Sequence, residues 1–492
     1  MKRTLEALNI TGISEGGVDR FLGIPYAEPP VGDLRFAPPV PKKPWTETLD
    51  CTKYGNSAVQ SPFLIGDKPV SEDCLYLNVW KPSDAKEGDN LPVYFWIHGG
   101  GWCFGSGAES TYNGDRFAKE GVILVTINYR LSALGYLALD TLMKKYGTAG
   151  NWATLDQICA LQWVHDNISK FGGDPNNVTV GGESAGSFNT FALLLSPKAE
   201  GLFQKAALES GAFTYAFAPH NRLDKAIEIG KKIAAKFGAD DSEEGLEILR
   251  KVPAYELWEV ADINLKNIMD GNPCQTYPVY DGVVLPLNNP QDALKEGKFN
   301  KNVKLILGNN FIEGPLFVHE EVLTEEIFNK YIRNTFNPDS YQEIIDHYAK
   351  QTDRTLTEKA CEVVGLGIIS LGIMAAEAYF AYSGIPVYSY EFSYVNSTNT
   401  IPTHAMEMPF VFGCDTLLGG KPMQEADVKV REAMHGYWLN FIKTGNPNGP
   451  SLPKWPLFVK GEKTILNINK EISVITRTHQ AEVDFLMPHF LQ

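Results

Sequence analysis

The chain has 492 residues, with 44 Lys and Arg against 59 Asp and Glu for a formal charge of −15, and it is 44% apolar and 21% charged. Those fractions exclude collagenous, disordered and disulfide-dense classes. An acidic chain with no block of basic residues also lacks the footprint needed to neutralise a phosphate backbone, so nucleic acid is not an expected partner.

At the start, Lys2 and Arg3 are followed by Glu6 and Asn9 where an apolar run would be needed, so no secretory signal is expected. Gly12-Ile13-Ser14-Glu15-Gly16 matches G-x-S-x-G, but no buried strand precedes it and no helix follows, and it reads as a surface turn. Apolar runs at 93–97, 122–127, 178–180 and 303–307 have strand length and read as strands buried on both faces. Between the second and third, Leu155, Ile158, Leu161, Val164, Ile168 and Phe171 recur at spacings of three and four before Gly172-Gly173-Asp174-Pro175, which predicts a helix over 154–171 and its stop. Strands alternating with helices imply a mostly parallel sheet covered on both sides: the fold class is α/β.

Charged helical patterns fill 221–270 and 323–382 without a break in composition. The expectation is one domain over 1–492 with helical cap insertions near 215–275 and 320–400. Residues 363–376 form a charge-free stretch of 14 with three glycines, closed by Glu377. A membrane span needs about 20 residues, so this reads as a buried helix and no span is expected. Seven cysteines, at 51, 74, 103, 159, 274, 361 and 414, are scattered without CxxC spacing. They suggest neither a zinc site nor a disulfide framework, and they fit a reducing, cytoplasmic setting.

Chemistry enters at the second G-x-S-x-G, Gly182-Glu183-Ser184-Ala185-Gly186, which follows the strand at 178–180 and opens an apolar helix through Phe188, Phe191, Ala192 and Leu195. A strand, a glycine-flanked turn and a helix can expose a serine hydroxyl at the carboxyl edge of a sheet, which makes Ser184 the nucleophile candidate. A hydroxyl needs a base, and the developing oxyanion needs donors. His98-Gly99-Gly100-Gly101-Trp102 directly follows the strand ending at Ile97, and its glycines let a carbonyl approach the backbone. The amides of Gly100, Gly101 and Ala185 are the expected oxyanion donors.

With these motifs stand Phe21-Leu22-Gly23-Ile24-Pro25-Tyr26-Ala27-Glu28-Pro29-Pro30, Ser71-Glu72-Asp73-Cys74-Leu75-Tyr76-Leu77-Asn78, Phe203-Gln204-Lys205-Ala206 and Glu209-Ser210-Gly211. Together they resemble the type-B carboxylesterase family of α/β-hydrolases over nearly the whole length, most like its intracellular bacterial-type members. The resemblance implies the α/β-hydrolase fold and a serine esterase. It places the acid of the triad at Glu313, in Gly308-Asn309-Asn310-Phe311-Ile312-Glu313-Gly314, and the base at His404, ahead of Pro409-Phe410-Val411-Phe412-Gly413. It implies a supporting network of Glu183, Ser210 and Glu407, and buried ion pairs of Arg35 with Glu72 and Arg130 with Asp156. His165 and His435 read as structural, and His98 as support for the oxyanion loop.

The chain departs from the secreted members: Cys74 matches one half of their disulfide, but the partner position is Ala58. The 15 residues between contain no Trp, so a choline-ester loop or an interfacial flap is not expected. Cys103 reads as an inert packed thiol. Trp102, Phe104, Phe213, Tyr277, Phe311, Phe317 and Met406 lie beside motif positions and are the candidate substrate pocket. The expected activity is hydrolysis of soluble short-to-medium-chain or aromatic carboxylic esters through an acyl-enzyme. It needs no metal or organic cofactor, in a monomer or weak homo-oligomer. The competing readings are a lipase or amidase with the same triad, or a non-catalytic adhesion or scaffold member of the fold.

Overall fold

The computed structural model describes residues 1–61, 65–66, 68–213, 221–263, 268–269, 272–287, 289–459, 461 and 463–490. Residues 62–64 and 67, within the short segment before Cys74, and residues 214–220, 264–267 and 270–271, within or beside the first expected cap insertion, lie outside the described residues.

The strand-length runs become the middle of a thirteen-stranded sheet. Seven of its strands are parallel neighbours, in the spatial order Ile123–Ile127, Leu91–Ile97, Gly173–Glu183, Lys205–Glu209, Lys304–Asn310, Val387–Phe392 and Thr464–Ile468. Side chains alternate across this sheet: Val93, Phe95 and Ile97 enter one core and Tyr94 and Trp96 the other, which is why these strands carry no polar face.

The amino-terminal strands are antiparallel instead, added on the Tyr76–Pro82 side, except the two-residue strand Leu49–Asp50, which runs parallel to Ile10–Glu15. Ser14 belongs to one of them and is not a turn. It lies in Ile10–Glu15 and pairs with Asp19, while Gly16 and Gly17, both at positive φ, make the hairpin turn. Paired glycines supply the twist a two-residue hairpin needs, a signal the G-x-S-x-G reading passed over.

The predicted helix forms as Trp152–Asn167 and a 3₁₀ turn Ile168–Phe171, ended by Gly172 at φ 94°. The charge-free stretch lies inside one continuous helical run, Leu356–Tyr382, and 83% of its most apolar 18-residue window is buried. A π turn at Leu366–Ser370 interrupts this run. Its glycines mark close approaches: a Cβ on Gly365 would stand 2.7 Å from Gly314 N, and one on Gly372 would stand 1.7 Å from Phe213 O. The run therefore forms a wall directly behind the Glu313 loop.

Two buried ion pairs tie distant segments to the sheet. Arg130 holds Asp156 at 2.7 Å. Arg35 holds Glu72 at 2.5 Å and also donates to the carbonyls of Leu249 and Val252, which anchors the helix Glu243–Lys251 to the amino-terminal part of the chain.

Candidate active site

Ser184 stands where the central strand Gly173–Glu183 gives way to the helix Ala185–Leu195. It has φ 54° and ψ −126°, a sparsely populated conformation for a residue with a side chain. Two contacts enforce it. A Cβ on Gly186 would lie 2.0 Å from Ile97 O, and one on Gly182 would lie 2.3 Å from the Gly186 carbonyl carbon, so only glycines let the helix cross the strand ends this closely. The Ser184 amide donates to Glu209 O at 2.9 Å, which fastens the turn to the next strand.

The glycine run closes over this turn. A Cβ on Gly99 would meet Ser184 Cβ at 3.2 Å, and one on Gly100 would be 2.1 Å from Phe104 O. Gly100, Gly101 and Trp102 all have positive φ, which turns the loop back on itself. Among the described residues none accepts a hydrogen bond from the amides of Gly100, Gly101 or Ala185. His98 is wholly buried, donates from Nδ1 to Gly99 O at 2.9 Å and stacks on Tyr129. Burial pushes its imidazole down to about 4, so it is neutral near pH 7.

Glu313 and His404 meet from the carboxyl end of Lys304–Asn310 and from a turn closed by Ala405 at φ 67°. His404 Nδ1 donates to Glu313 Oε2 at 2.6 Å, with both side chains almost fully buried. The other Glu313 oxygen accepts from Ser210 Oγ at 2.8 Å and from the Asn310 amide at 2.6 Å. Asn310 Nδ2 donates to Glu407 Oε2 and to Thr403 O, both at 2.6 Å, so one amide positions the carboxylate network and the turn that carries His404. On the far side of the ring, His404 Nε2 stands 3.1 Å from Glu183 Oε1. Both atoms are buried without a hydrogen-bond partner, so no bond joins Nε2 to Ser184 in this conformation.

The charges here act on one another. Burial would lower the His404 imidazole, but the carboxylates of Glu183 and Glu313 overcome it and hold it up at about 9. Burial lifts Glu183 to about 8, with His404 opposing and Glu407 adding, and lifts Glu407 to about 7 with Glu313 adding. Beneath them Glu209 is fully buried, accepts from Trp438 Nε1 at 2.8 Å and is pushed well above the usual carboxylate range by burial.

The seven aromatic and Met candidates divide. Trp102 lies 5.4 Å from both Phe188 and Tyr277, centroid to centroid, and Phe317 lies 5.0 Å from the His404 ring. Phe213 packs on Phe191 inside the same core, and Phe104 folds back onto Gly100. Met406 packs against the core on the other face of the sheet. Phe311 is 36% exposed and packs at a tilt on His479, in a crevice behind Glu313, so the structure does not bring it to the others. Sequence reasoning assigned no role to Asn310 or Phe188. The first lies three residues before Glu313 and the second one helical turn after Ser184.

The comparisons with known proteins agree across the chain. The model of the carboxylesterase family matches residues 7–486. A para-nitrobenzyl esterase of Bacillus subtilis (strain 168) is 35% identical over 94% of both chains. Among solved structures, a PNB esterase superposes with a TM-score of 0.85 at 32% identity, covering 97% of each chain. A Geobacillus stearothermophilus carboxylesterase superposes with a TM-score of 0.84 at 33% identity, covering 96% of this chain and 97% of the other.

Proposed function

This chain belongs to the carboxylesterase family and is a serine carboxylesterase of the α/β-hydrolase fold, and we propose that Ser184, His404 and Glu313 are its nucleophile, base and acid. The observation that carries this assignment is the buried Nδ1 to Glu313 hydrogen bond of 2.6 Å. In the neutral imidazole it fixes the proton on Nδ1 and leaves the lone pair of Nε2 on the side of the ring where Glu183 leads into Ser184.

Nε2 then takes the Ser184 proton as Oγ adds to the ester carbonyl, and Glu313 stabilises the imidazolium so formed. The carbonyl oxygen gains its charge against the amides of Gly100, Gly101 and Ala185; loss of one such donor typically costs about 10²–10³ in rate. Nε2–H protonates the departing alcohol, and water releases the acid from Ser184 by the same steps. Glu183, Ser210 and Glu407 are positioning residues: Ser210 and, through Asn310, Glu407 hold Glu313 and the His404 turn, while Glu183 faces Nε2.

The apolar walls of Trp102, Phe188, Tyr277 and Phe317 support soluble esters with short-to-medium or aromatic groups as substrates. Seven cysteines without a disulfide support a reducing, cytoplasmic setting, and the single continuous sheet supports one domain with helical insertions. The test is stoichiometric labelling by an organophosphate, with the adduct mapped by mass spectrometry. The adduct is expected on Ser184, with hydrolysis of p-nitrophenyl esters below their aggregation concentration lost in proportion. An adduct elsewhere would reject the assignment, and a rate that jumps only when droplets form would favour the lipase reading.

A further inference from the structure

The helix Ala254–Val260 and the residues after it are fastened to the glycine loop by contacts that the motifs do not predict. Trp258 Nε1 donates to Cys103 O at 2.6 Å, and Ser132 Oγ donates to Trp258 O at 2.8 Å. The Cys103 thiol donates in turn to Ala261 O. Asn272 closes the segment behind, donating to the carbonyls of both Val260 and Asp262. The consequence is at Ile263. Its Cδ1 would be 2.8 Å from a Cβ on Gly101, so the side chain lies directly on one of the proposed oxyanion donors, and it is 9% exposed in the same apolar cluster as Trp102, Phe188 and Tyr277.

Stereochemistry decides which part of an ester meets that side chain. The leaving oxygen must face His404 Nε2 to be protonated, so the alcohol lies on the His404 side, where Phe317 packs against the ring. The acyl chain leaves the carbonyl carbon in the opposite direction. The wall of Trp102, Phe188 and Tyr277, with Ile263 over Gly101, is built instead on the glycine loop and on the helix after Ser184, where Trp102 Nε1 donates to Asn189 Oδ1 at 3.0 Å. We propose that Ile263 is the residue that sets acyl-chain size: its branched side chain, held against Gly101 by the Trp258 to Cys103 clamp, closes the acyl side of the cleft.

This rests on the assignment of Gly101 as an oxyanion donor, and the experiment reads a ratio so that the two can fail separately. Two p-nitrophenyl and alkyl ester series are compared, one with a fixed alcohol and acyl groups from acetyl to hexanoyl and branched pivaloyl, the other with fixed acetyl and varied alcohols. Removing a methylene-sized constraint in a hydrophobic pocket is worth about tenfold or more in kcat/KM. Ile263→Ala is therefore expected to raise the hexanoyl-to-acetyl and pivaloyl-to-acetyl ratios about tenfold, with Ile263→Phe lowering them and the alcohol series keeping its wild-type order. Ile263→Val, a milder change, should move the ratios in the Ala direction by less, which covers an Ala variant that does not fold. A uniform loss across both series, or a change confined to the alcohol series, overturns the proposal. Failure of the proposed catalytic assignment itself would appear elsewhere, as organophosphate labelling that does not reach Ser184.

Discussion

The two halves of the site are built by opposite means. Around Ser184 the main determinants are side chains that are absent: Gly182 and Gly186 let the helix cross the strands, and Gly99 and Gly100 let the loop close over the serine. Around His404 the main determinants are polar side chains that are present and buried: Glu313, Ser210, Asn310, Glu407 and Glu183. The first half is held by sterics and is indifferent to pH; the second is held by protons and charges and titrates as a unit. Disruption of the first should therefore show in stability and in all substrates alike, and disruption of the second in the pH profile.

The largest expected effect tests the point where the halves meet. Ser184→Ala should lower kcat by several orders of magnitude, on the order of the 10⁶ seen for a triad serine in a protease, with an unchanged thermal midpoint because the elbow is made by its neighbours. A variant that retained more than a trace of wild-type turnover would remove Ser184 from the chemistry. Next in size is Gly186→Ala. Its new methyl would lie 2.0 Å from Ile97 O, and forcing it in should cost about 1–3 kcal/mol or more of stability, with ester hydrolysis falling at every pH. Thermal melts and a full pH profile check this together. A stable variant whose profile merely shifts along the pH axis would break the contrast between the halves.

That contrast also explains what the sequence made legible. Steric determinants are written in the chain itself, because a glycine in a fixed place between strand and helix has few other uses; Ser184, the glycine loop and the parallel strands could all be read this way. The base half could be placed only by resemblance, since neither Glu313 nor His404 has a local pattern that forces its chemistry, and they meet across 91 residues. Ser14 shows the limit of the pattern: the same five-residue spacing closes a hairpin when the neighbouring residues pair antiparallel. Phe311 shows another, because adjacency to the acid in sequence put it behind Glu313 and against His479, on the far side of the motif. Ile263 was out of reach altogether, since its contact with Gly101 depends on a clamp between segments about 155 residues apart.

The finest test of the electrostatic half is Glu183→Gln, whose effect has two parts of opposite sign. In the wild type, the carboxylates of Glu183 and Glu313 hold His404 up at about 9 against burial, well above the 6.5 of a free imidazole. A raised base is protonated below that value, so kcat/KM should climb with pH through a limb that lies above 6.5 and reach its plateau only in alkaline buffer. Removing the charge 3.1 Å from Nε2 takes away one of the two supports, and the limb should move to lower pH. On the proposed mechanism the same charge also stabilises the imidazolium formed as Ser184 attacks, so the alkaline plateau should fall, by up to about tenfold for each unit the limb moves. The variant can thus outperform the wild type in acid buffer relative to its own plateau while being slower in alkaline buffer. Stopped-flow kcat/KM between pH 5 and 10 for both proteins separates the parts. An unmoved limb would mean that Glu183 carries its proton throughout, leaving Glu313 alone to set the basicity of His404.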